Sequence, residues 1–379
     1  MNYRLLLIML MSTVSAFSFS QERVRDYGIE IGIFKPGKFN AITDVPGVKV
    51  GHKTLFGGED MRTGVTAIIP HEGNLFRQKT PAAIFVGNGF GKLAGYTQVK
   101  ELGNIETPVI LTNTLSIAAG LDALITYTLA QDGNSNIGSV NGIVGETNDG
   151  TLNNIKARYV KPEDVMEAIA SARGGAVEEG SVGAGTGTIC FGFKGGIGTS
   201  SRVLPKSLGG YTVGVLVQTN YGGVLEIAGV PVGQMLGQYS FKDHIANYAD
   251  GSCMIVVITD APVTSRNLER IAKRGFMALA KTGGIASNGS GDYIIALSVA
   301  KENLIDERTP FYMPEELHNE ALSSIFAATI EATEEALINS LFAAKTTTGY
   351  RGRTIEALPK AKVAEEILKS RAKNIESID

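Results

Sequence analysis

The chain has no tryptophan, two cysteines and four histidines among its 379 residues. Cys190 and Cys253 form no CxxC pair and are too few for a disulfide framework, so both read as small buried hydrophobes. His52, His71, His244 and His318 are scattered, which leaves no metal-ligand spacing and no histidine in a catalytic context. There is no G-x-S-x-G and no usable Ser/His/Asp set, the usual marks of a serine hydrolase. "GNGFGKLAG" has a Gly-x-Gly spacing and a lysine but lacks the G-K-[ST] ending of a phosphate loop. "FKGGIGTSS" lacks the lysine–hydroxyl pair, and neither completes a dinucleotide fingerprint, so both read as structural turns. The net charge is −3 with both signs interspersed, without the basic stripe that nucleic acid requires.

What is present is glycine, 46 residues, about 12% against a usual ~7%. Such a content points to many tight turns and close backbone approaches. Hydrophobic residues make up 44%, enough for a sizeable core in one large domain or two ordinary ones. At the N-terminus, Arg4, the apolar "LLLIMLMSTVSAF" and the small residues "SFS" before Gln21 read as an export signal over 1–20. The apolar run is shorter than the ~20 residues of a membrane span. Cleavage there leaves a mature chain over 21–379, exported to the periplasm or medium and free of the membrane.

Further on, "VPGVKVGH", "GVTAIIPH", "PAAIFVGNGFG" and "TPVILTNT" are short strand-like runs broken by turn residues. Ser116–Thr128 starts a helix, and "KPEDVMEAIASARGG" is a second, with Pro162 and acids in its first turn and Gly174 to stop it. Gly180–Arg202 reads as a hairpin, and "YTVGVLVQTNYGG" as a strand ending in a polar turn. "GQYSFKDHIANYADG" is polar and weakly periodic, an exposed loop of the kind in which chains are cut. Behind it come a strand at Cys253–Thr259, a helix with Leu268, Ile271 and Leu279 on one face, and a strand at Tyr293–Val299. The pattern then predicts a long helix over Pro314–Ala344 and a solvated surface helix at the C-terminus. Strands backed by helices predict a layered α/β or α+β sandwich.

Without a suitable histidine, something else must take the proton if a serine is to act as nucleophile. A chain-terminal amine, with a reference pKa of ~7.7–8.0, offers roughly a few hundredfold more free base at neutral pH than a lysine. Cleavage at Gly251–Ser252 would give Ser252 such an amine on its own Cα, and Gly251 tolerates the strained backbone that an N→O acyl shift demands. The competing reading is ordinary: a glycine ends a turn and a serine begins a strand.

"DGSCMIVVITDAP" followed by "LERIAKRG" resembles the processing junction of the L-aminopeptidase/D-esterase-amidase family, which includes the β-peptidyl aminopeptidases. "NAITDVPGVKVGH", "RTGVT", "GAGTGT", "FKGGIGTSSR", "YTVGVLVQTN" and "EATEEALINSL" are similar to that family in the same order, over roughly Asn40 to Pro359. The resemblance implies a four-layer αββα sandwich, like the N-terminal-nucleophile hydrolases in layering but with different strand connectivity. It implies a single domain cut into an α fragment, 21–251, and a β fragment, 252–379, assembled as a homo-oligomer of αβ units. Ser252 matches the nucleophile, with its α-amine as base, and Asn220 the donor to the oxyanion. Ser290 and Asp292 match a Ser-Gly-Glu that orients and polarises the serine; here an aspartate replaces the glutamate. Glu146 matches the glutamate that holds the substrate's ammonium. Asn148 stands where some relatives carry a tyrosine near the oxyanion, making this site less like that of the D-amide-cleaving members. Cys253, next to the nucleophile, faces the other side of its strand. The implied activity is removal of N-terminal residues (α-L, D or β-amino) from short peptides, amides or esters through an acyl-enzyme, with no metal or organic cofactor. The alternatives are an amino-acid N-acetyltransferase of related fold and a non-processing binding protein.

Overall fold

The computed structural model describes residues 22–242 and 251–376, apart from the side chains of 373–376. The segment 1–20, expected to be an export signal, and most of the polar loop before Gly251 lie outside the described residues. In chain order the elements are β1 (Lys49–Gly57), β2 (Met61–Ile69), β3 (Gln78–Gly89), β4 (Leu93–Ala94), α1 (Tyr96–Leu102), β5 (Asn104–Ile105), β6 (Val109–Asn113), α2 (Ile117–Leu129), β7 (Ile143–Thr147) and α3 (Pro162–Ala170). Then follow β8 (Ile189–Cys190), β9 (Phe193–Lys194), β10 (Ile197–Val203), β11 (Thr212–Asn220), α4 (Val232–Met235), β12 (Ser252–Thr259), α5 (Ser265–Lys281) and β13 (Gly291–Ser298). The chain closes with β14 (Ile305–Asp306), α6 (Ser323–Phe342), β15 (Thr347–Thr348), β16 (Thr354–Ile355) and α7 (Lys360–Glu376).

Two sheets carry the architecture. One has the order β1-β2-β6-β7-β4; the other runs β10-β11-β12-β13-β3-β14, with β5 paired to β3. The period-2 alternation of each strand distributes its apolar residues between two cores. Along β12, Met254, Val256 and Ile258 face the other sheet, where they meet Ile68, Val109, Leu111 and Ile143. The intervening Cys253, Ile255 and Val257 face the helices, packing with Leu268, Ile271, Leu337 and Leu341. On the outer face of the smaller sheet, Val65, Ala67, Ile110 and Val144 pack on Leu124, Val165 and Ile169 of α2 and α3. The result is helices, sheet, sheet, helices: the αββα sandwich. A strand buried on both faces needs an unbroken apolar run, which explains "CMIVVI". The two cysteines are free and buried, and burial pushes the Cys190 thiol up to about 12.

Three elements differ from expectation. Gly180–Arg202 does not form one hairpin: β8 pairs with β9 and Gly180 makes a single antiparallel bridge to Ile197, while β10 leaves to pair antiparallel with β11. At Gly198 of β10 a Cβ would lie 2.0 Å from the carbonyl of Ala336, so glycine lets α6 sit directly on the sheet. The long helix begins at Ser323, not Pro314, because the preceding main chain bonds elsewhere: Glu315 N–H donates to Asn303 Oδ1 at 2.9 Å and Leu317 N–H to the Pro262 carbonyl at 3.1 Å. The C-terminal helix is not wholly solvated; Val363, Ala364 and Ile367 are buried against the helical layer.

The N-terminal segment is tied across the back of α6 by buried charge. Arg202, fully buried, donates to Glu335 at 2.8 Å, Glu331 at 3.2 Å and the Ile31 carbonyl at 2.7 Å. Arg25 reaches Glu335 at 2.7 Å, and Glu331 accepts the N–H groups of Ile33 and Phe34. Burial raises the Glu335 carboxyl, but Arg25 and Arg202 more than reverse this and hold it below its ordinary range. Arg202→Ala takes the shared cation from two buried carboxylates, leaving Glu335 to Arg25 and Glu331 to main-chain N–H groups, and is expected to lose about 3–5 kcal/mol of stability, read from the shift in urea unfolding.

Candidate active site

The strands that end on one side of the larger sheet bring the candidate residues abreast. Asn220 of β11 pairs with Ser252 of β12, Ser252 pairs in parallel register with Gly291 of β13, and Gly291 pairs with Gly89 of β3. Ser252 and Asp292 therefore lie inside strands that start one and two residues earlier than their apolar runs.

Ser252 is 6% exposed. Its Oγ donates to the Gly251 carbonyl at 2.6 Å and accepts the Gly291 N–H at 3.3 Å. The same N–H donates to the Gly251 carbonyl at 3.1 Å. The hydroxyl and a polarising donor thus converge on the carbonyl of the bond that precedes Ser252. A Cβ on residue 251 would come within 2.9 Å of Tyr221 Cα, so glycine is required here by close approach. Asn220 Oδ1 accepts the Ile189 N–H at 3.0 Å, which fixes the amide and leaves Nδ2 as its remaining donor.

Ser290 and Asp292 are buried beside Ser252, at the start of the strand that runs parallel to its own. Ser290 Oγ and both Asp292 carboxylate oxygens lack a hydrogen-bond partner, so neither side chain is bonded to Ser252 in the uncut chain. Burial raises Asp292 to about 6; Ser290 Oγ and the Cys253 N–H are near enough to oppose this without reaching hydrogen-bond geometry.

Glu146, on β7 of the other sheet and 2% exposed, closes one side of a cavity of about 360 Å3 that holds Ser252, Gly251, Phe90 and Lys92. Its Oε1 accepts the Lys92 N–H at 3.0 Å, and its Oε2 accepts the Thr114 hydroxyl. Asn148 is exposed, its Oδ1 turned back to the Gly150 N–H at 2.9 Å. It lines this cavity and also a second one of about 640 Å3, where Asn220, Tyr221, Phe191 and Tyr239 stand. Phe191 holds a positive φ of 52°, sustained by its N–H to the Tyr221 carbonyl at 2.7 Å and by edge-on ring packing at 4.9 Å. Of the seven residues singled out in the sequence, Glu146, Asn148, Asn220, Gly251 and Ser252 line this pair of adjoining cavities, while Ser290 and Asp292 are buried and line neither. Sequence reasoning missed the Gly291 N–H, Thr114 and Lys92; the lysine was in view only as part of a failed phosphate-loop pattern.

A serine at a strand start, a fixed amide across from it and buried carboxylates beside it, with no histidine among the described residues lining the two cavities, are the features of this site. Comparison with known proteins identifies the family. Residues 40–355 match the model of peptidase family S58. The chain is 40% identical to the β-peptidyl aminopeptidase BapA of Sphingosinicella microcystinivorans, over 95% of this chain and 96% of that one. It superposes on the β-aminopeptidase of a Burkholderia species with a TM-score of 0.84 at 39% identity, covering 92% of this chain and 98% of that one. It superposes also on the L-aminopeptidase D-Ala-esterase/amidase of Ochrobactrum anthropi, a variant of the Ntn-hydrolase fold, with a TM-score of 0.83 at 33% identity over 93% and 99% of the two chains. The chain belongs to peptidase family S58 and is a serine aminopeptidase.

A carboxyl raised on folding favours the folded state only while protonated. For Asp292 that contribution is whole below about pH 4 and is lost as the pH rises through about 6. Asp292→Asn, of the same shape without the charge, is expected to exceed the parent in stability by about 2–3 kcal/mol at pH 7. The difference should close toward pH 4 in urea unfolding measured at pH 4, 5 and 7.

Proposed function

We propose that this chain is exported, cuts itself between Gly251 and Ser252, and then removes N-terminal residues, β-amino residues among them, from short peptides and amides. The observation that carries this reading is the convergence of Ser252 Oγ and the Gly291 N–H on the Gly251 carbonyl. Attack by Oγ on that carbon breaks the C–N bond, forms an ester and releases the Ser252 amine. Water then hydrolyses the ester, leaving a Gly251 carboxylate and a free hydroxyl. The amine so made, with a pKa near ~8 in reference peptides, is the base for turnover.

In turnover the substrate carbonyl takes the place of Gly251. Ser252 Oγ attacks it while the α-amine accepts the proton. Asn220 Nδ2 and the Gly291 N–H receive the oxyanion, the amine product leaves with the proton, and water resolves the acyl-enzyme by the same route. Glu146 pairs with the substrate's ammonium. The two adjoining cavities suit the acyl residue, on the Glu146 side, and the leaving group, on the Asn220 side. The names of the relatives support β-amino residues as substrates. The leader-like first twenty residues support export, and no helix among the described residues is long and apolar enough to cross a membrane. Assembly as a homo-oligomer of αβ units belongs to the same proposal.

Intact mass and N-terminal sequencing test the cut. The wild type is expected as two fragments, one beginning Ser-Cys-Met-Ile, and Ser252→Ala as one chain; a single uncut wild-type chain inactive on aminoacyl p-nitroanilides would leave a binding protein of this fold. In the cut enzyme, Asn220→Ala is expected to lower kcat by about 10²–10³, the usual cost of one oxyanion donor. Glu146→Gln should act mainly on KM.

A further inference from the structure

The amine anchor is not open on all sides. Lys92 Nζ lies 3.9 Å from Glu146 Oε1, and the main-chain N–H of the same lysine holds that oxygen at 3.0 Å. Thr114 takes the other oxygen. Among the described residues lining the cavity with Ser252, Glu146 and Lys92 are the charged ones. Their charges cancel, so a substrate that brings only an ammonium to Glu146 enters beside a second ammonium and leaves one positive charge unbalanced. A substrate that brings an ammonium and a carboxylate together restores neutrality, with the ammonium on Glu146 and the carboxylate on Lys92.

The lysine is placed for that role. Its side chain is 58% exposed, and its contact with Glu146 is longer than a hydrogen bond, so its donors remain free. Its backbone is held firmly. Gly91, the residue before it, is packed so that a Cβ would lie 3.3 Å from Gly291 Cα and 3.4 Å from Glu146 Oε1. The Phe90 N–H is bonded to the Ser290 carbonyl at 3.1 Å. One short segment therefore carries the lysine and touches both the anchor and the strand of the oxyanion donor.

We infer that the acyl subsite of Ser252 selects a residue whose ammonium and carboxylate sit on one carbon, two bonds from the scissile carbonyl carbon: a β-linked aspartyl residue. This rests on the aminopeptidase reading above, with β-amino acyl groups as substrates, and specifies the side chain. A β-aspartyl residue is a β-amino acyl group with a carboxylate beside its amine, and its two charges match an acid–base pair 3.9 Å apart on the protein. Lys92 is the specificity residue, and hydrolysis would release free aspartate.

The test compares two p-nitroanilides that differ by one group, 3-aminobutyryl, with a methyl, and β-aspartyl, with a carboxylate in its place. The wild type is expected to prefer the β-aspartyl substrate in kcat/KM by about ten- to a hundredfold, the range of one charge-assisted contact. Lys92→Met should abolish that preference and raise kcat/KM for the 3-aminobutyryl substrate, because the competing ammonium is gone. A wild type that prefers 3-aminobutyryl, with the ratio unmoved in Lys92→Met, would overturn the inference while leaving the aminopeptidase intact. A β-aspartyl preference that survives Lys92→Met would remove the role of this lysine. Turnover of neither substrate would overturn the proposed β-amino acyl specificity and this inference with it.

Discussion

The site depends on one row of backbone pairing. Asn220, Ser252, Gly291 and Gly89 stand side by side at the same level of four adjacent strands. That register aligns the fixed amide, the hydroxyl, the donor N–H and the segment leading to Lys92. A slip of one residue on β12 would turn Ser252 into the layer of Cys253 and place every apolar residue of the strand on the wrong face. The two cores prevent such a slip: Met254 and Val256 have places between the sheets, Cys253 and Ile255 against the helices. The geometry of the site is thus an outcome of packing well behind it, a rigid support of the kind that precise chemistry needs.

The second constraint is electrostatic. The chain places ionisable groups where water is scarce, and treats them differently at its two ends. Behind α6 the carboxylates of Glu331 and Glu335 are matched by Arg202 and Arg25 and by main-chain N–H groups. At the site, Asp292 has no such partner and is left with its carboxyl raised. The unpartnered buried polar atoms of Ser290 and Asp292, set against the matched carboxylates behind α6, mark a place beside Ser252 where the fold accepts a local cost in stability.

Much of this was legible in the residues, and the reasons differ from element to element. β12 and α3 announce themselves, one by a run buried on both faces, the other by Pro162 and acids at its start. The ends of strands were harder: Ser252 and Gly291 are held in the sheet by main-chain pairing, to which their side chains give no clue. The start of α6 was misplaced because Pro314 is a good first residue for a helix, yet its neighbours spend their N–H groups on Asn303 and Pro262. In the site, Asn220 and Glu146 look like ordinary turn and strand residues, and motif likeness alone singled them out. Gly291, Thr114 and Lys92 escaped because they act through an N–H, a hydroxyl and a short approach to Glu146, which exist only once separate strands meet.

The position of β12 has a consequence for how the molecule ages. It lies between β11, which precedes the proposed cut, and β13, which follows it, and β3 from the first fragment closes the other side of β13. The strands of the two proposed fragments are thus interleaved, and α6 of the second would be bound by Arg25 and Arg202 of the first. Intact, the chain folds in a single-molecule process. Once cut, the pieces are held only by contacts, and after unfolding they must find each other again as separate molecules. The enzyme would then have one unimolecular opportunity to fold, and the durability of the processed form would be set by how slowly it comes apart, with its recovery dependent on concentration.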